Sequence, residues 1–175
     1  MKWDEIAKLP RETLLVLLED SLRNILRVDG YWFQAGEKLV GMEPTLKMDE
    51  EVWGRFGRAA ARMVKKAFNL EENGGIPSLI QAINLDPMWT FFGEFDLNQL
   101  SDSQARIQVT SCFSQKERLR LGQDVFPCRS VEETYFQNFA QAVDPRIRVR
   151  YGFCPPEKYS ENLWCEWYFD LEDSK

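Results

Sequence analysis

The sequence predicts an α+β fold: a helical N-terminal half, followed by a four-stranded antiparallel sheet made of two strand pairs that a helix separates, with helices on one face. Two observations predict this class. Apolar residues recur about every 3.6 residues up to position 84, whereas two stretches after Pro87 show a period of two. The resulting order of helices, strand pair, helix and strand pair is typical of α+β domains. Because 175 residues fit one hydrophobic core and no linker or repeat interrupts them, we expect a single domain over residues 1–175, helical over about 3–84 and sheet-containing over about 88–171.

Three helices are predicted in the first half, over residues 11–39, 47–69 and 77–83. The first begins after Pro10 and is either one long helix or two helices that meet at Gly30. The second begins near Lys47 or Asp49. The third ends before Pro87, because a proline disfavours the helical conformation of the residue before it. One or two further helices are predicted over residues 115–121 and 131–143.

Alternating apolar and polar residues predict four strands, over residues 89–97, 105–110, 147–153 and 163–171. The first opens with Trp89 and Phe91, and a turn at residues 101–103 joins it to the second. Arg148 and Arg150 alternate with apolar residues in the third. We therefore expect one apolar face, which packs on the helices, and one polar face.

Composition excludes several classes of function. The chain has no histidine, which excludes Ser-His-Asp and Cys-His catalytic sets, histidine metal ligands and an imidazole base. A formal charge of −6 disfavours binding to nucleic acid or to an anionic membrane. The sequence contains no glycine-rich phosphate loop and no HExxH or GxSxG motif. Nucleotide chemistry of the familiar kinds is therefore not expected.

The sequence also indicates where the protein works. The N-terminal residues include acidic side chains, and the longest apolar run, residues 14–18, is far shorter than the ~20 residues that span a bilayer. We therefore expect a cytoplasmic protein without membrane contact. In a reducing compartment, its four cysteines are thiols or metal ligands rather than disulfides.

The cysteines form the first candidate site: Cys112, Cys128, Cys154 and Cys165. Three of them are predicted at strand ends or in loops, where ligands from distant parts of the chain can converge. Four thiolates bind zinc or an iron–sulfur cluster, so a metal site is one interpretation. Cys165, however, shares the apolar face of its strand with Trp167, and free cysteines are commonly small buried core residues. Unlinked structural thiols are thus the other interpretation.

Asp29 is a second candidate, because it interrupts the apolar stripe of the first long helix. Burial would raise its pKa toward the range of a general acid or base. The functional interpretation places this carboxylate in an aromatic pocket with Trp32 and Phe33, whereas the structural one pairs it with an arginine or makes it cap a turn near Gly30. Aromatic residues make up 13% of the chain, and those beyond the core could line a ligand pocket or an oligomer interface.

Arginines form two stripes that would each suit an anion. One lies on the third predicted strand and begins with Arg146, which is a candidate for neutralising an anionic group of a ligand. The other lies on the second helix and includes Arg55, Arg58 and Arg62. Because acidic residues exceed basic ones, solvated stripes that face carboxylates are the plainer interpretation.

Several short motifs give the sequence a resemblance to a known family. They are Asp29-Gly30-x-Trp32-Phe33, Gly41-Met42-Glu43, Asp49-Glu50-x-Val52-Trp53, Phe126-Pro127-Cys128-Arg129-Ser130, Asp144-Pro145-Arg146-Ile147, Cys154-Pro155-Pro156 and Cys165-x-Trp167-x-Phe169. As a set they resemble an uncharacterised family of prokaryotic cytosolic proteins, from about residue 14 to residue 171. That family is distantly similar to L-2-amino-thiazoline-4-carboxylate hydrolases and, in its layout of strands and helices, to vinyl-four-reductase ligand-binding domains, in which cysteines are suspected metal ligands. The resemblance implies that Asp29 and the cysteines belong to family motifs.

Three functions are compatible with these features. The leading one is a small-molecule-binding domain that holds its ligand between the long helix and the sheet through Asp29, Trp32, Phe33 and Arg146, with a thiolate site for zinc or an iron–sulfur cluster. The alternative is a hydrolase of a small cyclic amidine or thiazoline, with Asp29 as base or Cys128 as nucleophile. The second alternative is a non-catalytic regulatory or assembly module that uses the arginine stripes.

Overall fold

The computed structural model describes residues 3–157, 160 and 162–172. Its helices are α1 (Trp3–Ile6), α2 (Arg11–Val40), α3 (Met42–Phe68), α4 (Gly75–Leu85), α5 (Pro87–Phe92), α6 (Phe113–Arg120) and α7 (Arg129–Val143). Its strands are β1 (Gly93–Ser101), β2 (Gln104–Cys112), β3 (Ile147–Phe153) and β4 (Cys165–Leu171). The α+β class is therefore confirmed, since helices come first and the strands follow as two pairs with α6 and α7 between them.

The two longest helices are separated by a single residue, Gly41. α2 runs through Gly30 without a break, so the first half of the chain opens with one long helix. Gly41 has a φ of 90°, which glycine adopts without a steric penalty, and it both ends α2 and precedes α3. The predicted start of α3 near residues 47–49 is wrong, because α3 begins at Met42 and holds Pro44 in its first turn, where no N–H partner is needed. No helix among the described residues is long and apolar enough to cross a membrane.

The segment after α4 differs from the prediction. Trp89 and Phe91 lie in the short helix α5, so the predicted start of the first strand is wrong. The Asp86 carboxylate explains the difference, because it accepts a 3.0 Å hydrogen bond from the Met88 N–H while Pro87 occupies the first helical turn. The Asp-Pro pair thus ends one helix and also starts the next.

The sheet has the strand order β1-β2-β4-β3, and each neighbouring pair is antiparallel. β1 and β2 form a hairpin, and β4 lies between β2 and β3. Ile107 and Trp167 are fully buried on the face that packs against the helices. On the other face, the Gln108 side chain donates a 2.8 Å hydrogen bond to Glu166. Helices therefore cover one face of the sheet, as predicted.

Two glycines let α3 approach α7 closely. A Cβ atom at Gly57 would lie 2.8 Å from the backbone oxygen of Tyr135, and one at Gly54 would lie 2.7 Å from Cγ2 of Thr134. The short separation packs the ring of Trp53 against that of Tyr135, with 5.9 Å between centroids. α3 and α7 therefore direct side chains into one space, which α2 closes from a third side.

Candidate functional site

A cavity of about 90 Å³ lies among α2, α3, α5, α6 and α7. On this scale one water needs roughly 10–15 Å³, so the cavity has room for several non-hydrogen atoms. Helices α3 and α7, rather than the sheet, form the wall opposite α2. The aromatic side chains that line the cavity are Phe33, Trp53, Phe92, Phe113, Phe126 and Tyr135.

Carboxylates from three helices line the same cavity: Asp29 from α2, Asp49 from α3 and Glu132 from α7. Each lies in register with the buried residues of its helix. Asp49, for example, precedes the buried Trp53 by one turn, and residues four apart share a helix face. These three carboxylates and the aromatic side chains around them are called the acidic pocket below.

Burial raises the pKa of Asp29 from 3.8 to about 6. The side-chain hydrogen bond with Trp53, whose indole N–H is the donor, acts in the opposite direction and lowers the pKa. Asp29 therefore titrates within reach of neutral pH, which is the direction that its place in an apolar stripe predicts.

The other two carboxylates have still higher pKa values. Burial raises the pKa of Asp49 to about 8, and the negative charges of Asp29 and Glu132 contribute further. Burial also raises the pKa of Glu132 to about 7, with a contribution from Asp29. At neutral pH the three groups therefore share protons, with Asp29 the most ionised and Asp49 the most protonated.

No positive charge balances these carboxylates within the described part of the chain. Arg118 also lines the cavity, but its guanidinium donates hydrogen bonds of 2.9 and 3.1 Å to the Glu37 carboxylate and one of 2.9 Å to the backbone oxygen of Asp124. The hydrogen bonds from Arg118 lower the pKa of Glu37, so this pair is satisfied internally. None of Asp29, Asp49 and Glu132 forms an ion pair among residues 3–157, 160 and 162–172, and the acidic pocket keeps an excess of negative charge.

Tyr135 adds an unsatisfied polar atom to the pocket wall. Its side chain is 1% exposed, and its hydroxyl has no hydrogen-bond partner among the described residues. Burial and the charges of Asp86 and Glu132 raise the pKa of Tyr135 well above 10, so the hydroxyl stays protonated. Buried polar groups in proteins nearly always form hydrogen bonds. The Tyr135 hydroxyl can therefore form one with a polar group that enters the pocket.

The structure brings the cysteines together beside the acidic pocket. Sγ of Cys128 lies 3.8 Å from Sγ of Cys154, and Cys154 also forms a hydrogen bond with Cys165. Cys112, Cys128 and Cys165 line a smaller cavity of about 40 Å³. Glu132 lines both cavities, so its carboxylate lies in the wall between the acidic pocket and the cysteines.

The four cysteines are free thiols. Hydrogen bonding with Cys128 and Cys165 raises the pKa of Cys154, and burial raises the pKa of Cys112. Among the described residues, no group of three or more cysteine or carboxylate side chains is placed so that it could hold a metal ion.

Two of the predicted ligand contacts lie in the acidic pocket. Asp29 and Phe33 both line it. Trp32 is 76% exposed on the outer side of α2 and does not line the pocket. The Asp-Gly-x-Trp-Phe motif therefore contributes side chains to two different surfaces of the helix.

The other predicted residues lie elsewhere. Arg146 follows the end of α7, where its guanidinium donates hydrogen bonds of 3.0 and 2.7 Å to the buried Asp144. Cys128 faces the smaller cavity rather than the acidic pocket. The two catalytic candidates, Asp29 and Cys128, are thus separated by the wall that contains Glu132.

Sequence reasoning missed Asp49, Glu132 and Tyr135. The sequence indicates Asp49 as the start of a helix, but the residue also lies in register with Trp53 four residues later. Glu132 lies three residues before Tyr135, on the buried side of α7. A carboxylate in register with a buried stripe is the signal that reveals both, and it is the same signal that identified Asp29.

The comparisons with known proteins place the chain in a family but assign no activity. No curated protein matches it. Residues 7–171 match the model of a family of unknown function, DUF6125, which agrees with the resemblance to an uncharacterised family. The chain therefore belongs to the DUF6125 family of unknown function.

Proposed function

We propose that the protein binds a small molecule that carries an ammonium or amidinium group, and that this group occupies the acidic pocket. One observation carries the proposal: three carboxylates from three helices converge in a buried aromatic cavity, and no cation among the described residues balances them. Isolated buried charge is expensive, so a cationic group would replace a missing partner. The unpaired hydroxyl of Tyr135 supports a polar ligand group at the same place.

The aromatic walls suit the same ligand class. A cation over the face of tryptophan or tyrosine gains roughly 0.5–2 kcal/mol, more where water is excluded. Trp53 and Tyr135 both line the acidic pocket and both are buried. Ligand pockets are typically apolar with a few polar groups that fix orientation, and here the carboxylates would fill that role.

Three probes of nearly equal shape test the proposal: benzamidine, which is cationic, benzamide, which is neutral, and benzoate, which is anionic. Binding is followed by the fluorescence of Trp53 and the other tryptophans, in a buffer free of amines. We expect benzamidine to bind more tightly than benzamide, and benzoate not to bind. Asp29→Asn should weaken benzamidine binding roughly 10- to 100-fold, since a hydrogen bond to a charged group contributes about 1.5–3 kcal/mol.

The matched control is Asp96→Asn, which makes the same change of charge at an exposed position of β1. It should leave the affinity for benzamidine unchanged. Benzoate binding as tight as that of benzamidine, or an equal loss of affinity in both variants, would contradict a cation site at the carboxylates.

A hydrolase of a small cyclic amidine is the alternative, because carboxylates that titrate near neutral pH suit the proton transfers of such a reaction. With pKa values of about 6 and 7, Asp29 and Glu132 could accept a proton from water as it adds to an amidine carbon, and return it to the ring nitrogen as the carbon–nitrogen bond breaks. Cys128 is less suited as the nucleophile, because it is buried in the smaller cavity. The distant similarity to thiazoline hydrolases stays a prediction.

Turnover of 2-amino-2-thiazoline separates the two functions. An enzyme would open the ring with a rate that Asp29→Asn abolishes and Cys128→Ser leaves intact. A binding protein would bind the probe and release it unchanged. Loss of turnover in Cys128→Ser, with Asp29→Asn active, would instead assign the chemistry to the thiol.

Metal binding by the cysteines also stays a prediction. The 3.8 Å between Sγ of Cys128 and Sγ of Cys154 is close to the separation of two thiolates on one zinc ion, whose Zn–S bonds are about 2.3 Å long. Elemental analysis of protein purified without chelator or affinity tag tests it. About one equivalent of zinc or iron would establish the site, whereas metal-free protein with four reactive thiols after unfolding would assign the cysteines to packing.

The arginine stripe on β3 gives less support to a regulatory or assembly module. Arg150 pairs with Asp170 at 2.8 Å, and Arg148 pairs with Glu172 at 3.2 Å. These charges are already neutralised on the surface. A cytoplasmic setting remains part of the proposal, since the four free cysteines suit a reducing compartment.

A further inference from the structure

α2 has a second apolar face that the described chain leaves uncovered. One side of the helix packs into the core through Leu22, Leu26 and Phe33. A different side carries a run of exposed positions, spaced alternately by three and four residues. This α2 heptad face consists of Leu18, Ser21, Ile25, Val28, Trp32, Ala35 and Leu39.

The spacing is that of a coiled-coil seam, in which the a and d positions of successive heptads form a continuous stripe. It extends over 22 residues, or roughly 33 Å of helix. None of its positions is charged, although 29% of the chain consists of charged residues. Depletion of charge is what distinguishes the centre of a protein interface from ordinary surface.

The exposed area is large enough for a stable interface. Trp32 is 76% exposed and Leu39 is 80% exposed, and the other large side chains of the face are about half exposed. With Leu17 and Tyr31 at its margin, the face offers on the order of 700 Å² of apolar side-chain area, against ~800 Å² per partner in a standard interface.

The order of large and small residues favours a second copy in antiparallel orientation. If two α2 helices cross between Ile25 and Val28, Leu18 meets Ala35 of the second copy and Trp32 meets Ser21. Each layer then combines a large and a small side chain, or two of medium size. A parallel pair would place the two Trp32 side chains in one layer and the two Ser21 side chains in another, which packs unevenly.

The charges of α2 argue against a lipid surface as the occupant. Helices that lie on membranes carry mainly lysine and arginine beside the apolar face. α2 has four basic and five acidic residues. A self-complementary face with mixed charges around it fits a two-fold symmetric pair.

We propose that the protein is a homodimer in which the α2 heptad faces of two copies pack together in antiparallel orientation. The α2 residues that line the acidic pocket are not members of the heptad face, so the proposal does not depend on the proposed function.

Sedimentation velocity across the micromolar range tests the dimer. The wild-type protein should sediment as a dimer, and Ile25→Glu should raise the dissociation constant roughly 30-fold or more. The control, Leu100→Glu, adds the same charge at an exposed leucine of β1 and should stay dimeric. Circular dichroism establishes that each variant is folded.

A charge-neutral pair of variants tests the orientation. Ser21→Trp alone would place two tryptophans in one antiparallel layer and should weaken the dimer, whereas Ser21→Trp combined with Trp32→Ser exchanges the partners and should restore it. The proposal would be overturned if the wild-type protein were a monomer at every concentration. A monomer that co-sediments with phosphatidylglycerol vesicles would overturn it as well. A dimer that Ile25→Glu leaves unchanged would also overturn it, and a dimer without rescue in the double variant would overturn the antiparallel pairing.

Discussion

Asp49→Asn should stabilise the protein at alkaline pH, because Asp49 has the highest pKa of the three carboxylates in the acidic pocket. Its ordinary pKa of 3.8 applies to the unfolded chain, whereas burial and the charge of Asp29 raise the pKa to about 8 in the folded protein. The folded state therefore holds this proton more tightly than the unfolded state. The resulting stability is complete below about pH 4 and is lost as the pH rises through 8.

The magnitude follows from the two pKa values of Asp49. Between them, the free energy of unfolding falls by about 1.4 kcal/mol for each pH unit, so the loss between pH 5 and pH 8 is on the order of 4 kcal/mol. Asparagine has nearly the same size and is neutral at every pH. Asp49→Asn should therefore be more stable than the wild type at pH 8. Its free energy of unfolding should depend less steeply on pH, and the remaining dependence comes from Asp29 and Glu132.

Urea unfolding, followed by tryptophan fluorescence at several values between pH 5 and pH 8, measures this difference. Asp96→Asn, an exposed position on β1, is the control and should follow the wild-type profile. Parallel pH profiles of the wild type and Asp49→Asn would contradict the raised pKa of Asp49, since they would mean that Asp49 is ionised in the folded protein at neutral pH.

The structure supports three further predictions. Asp144→Ala should lower the free energy of unfolding by about 3 kcal/mol, because the buried carboxylate accepts hydrogen bonds from Arg146 and from the Gly75 N–H. Glu51→Ala, in an exposed ion pair with Arg55, should change it by less than about 1 kcal/mol, and equal effects in urea titrations would argue against this. Gly93→Ala should destabilise the protein by at least about 3 kcal/mol, because the new Cβ would lie 1.7 Å from the Ser111 backbone oxygen. A Cβ at Gly30 would have no atom within 4 Å, so Gly30→Ala should stabilise the protein by about 0.5–1 kcal/mol. Thermal unfolding of both variants tests this contrast. A thiol reagent should label at most Cys112 in the native protein and all four cysteines after unfolding, and rapid native labelling of Cys154 would show that the buried thiols are accessible.

Much of the fold could be predicted from periodicity, and its errors have local causes. The extent of α2 and the strands after Gly93 follow from apolar spacing. At Asp86 and Pro87, however, the same two residues can end one helix and begin another, and only the hydrogen bond from Met88 decides between these outcomes. A pattern of apolar residues cannot predict that bond.

The candidate site was predicted only in part, because its members come from distant parts of the sequence. Asp29 was found by its place in an apolar stripe. Whether Asp49 and Glu132 join it depends on how closely α3 approaches α7, which Gly54 and Gly57 determine through contacts that no local pattern encodes. Trp32, next to Phe33 in the same motif, lies on the exposed side of α2, because consecutive helical residues point about 100° apart.

If the acidic pocket binds a cation as proposed, its carboxylates must first lose their protons. A pH-stat titration with benzamidine in unbuffered potassium chloride solution counts the protons that binding releases. We predict release of about one proton per bound benzamidine at pH 7, and almost none at pH 9, since Asp49 and Glu132 have pKa values of about 8 and about 7. Benzamidine binding at pH 7 without release of a proton would contradict this prediction, because the cation would then bind without displacing a proton from these groups.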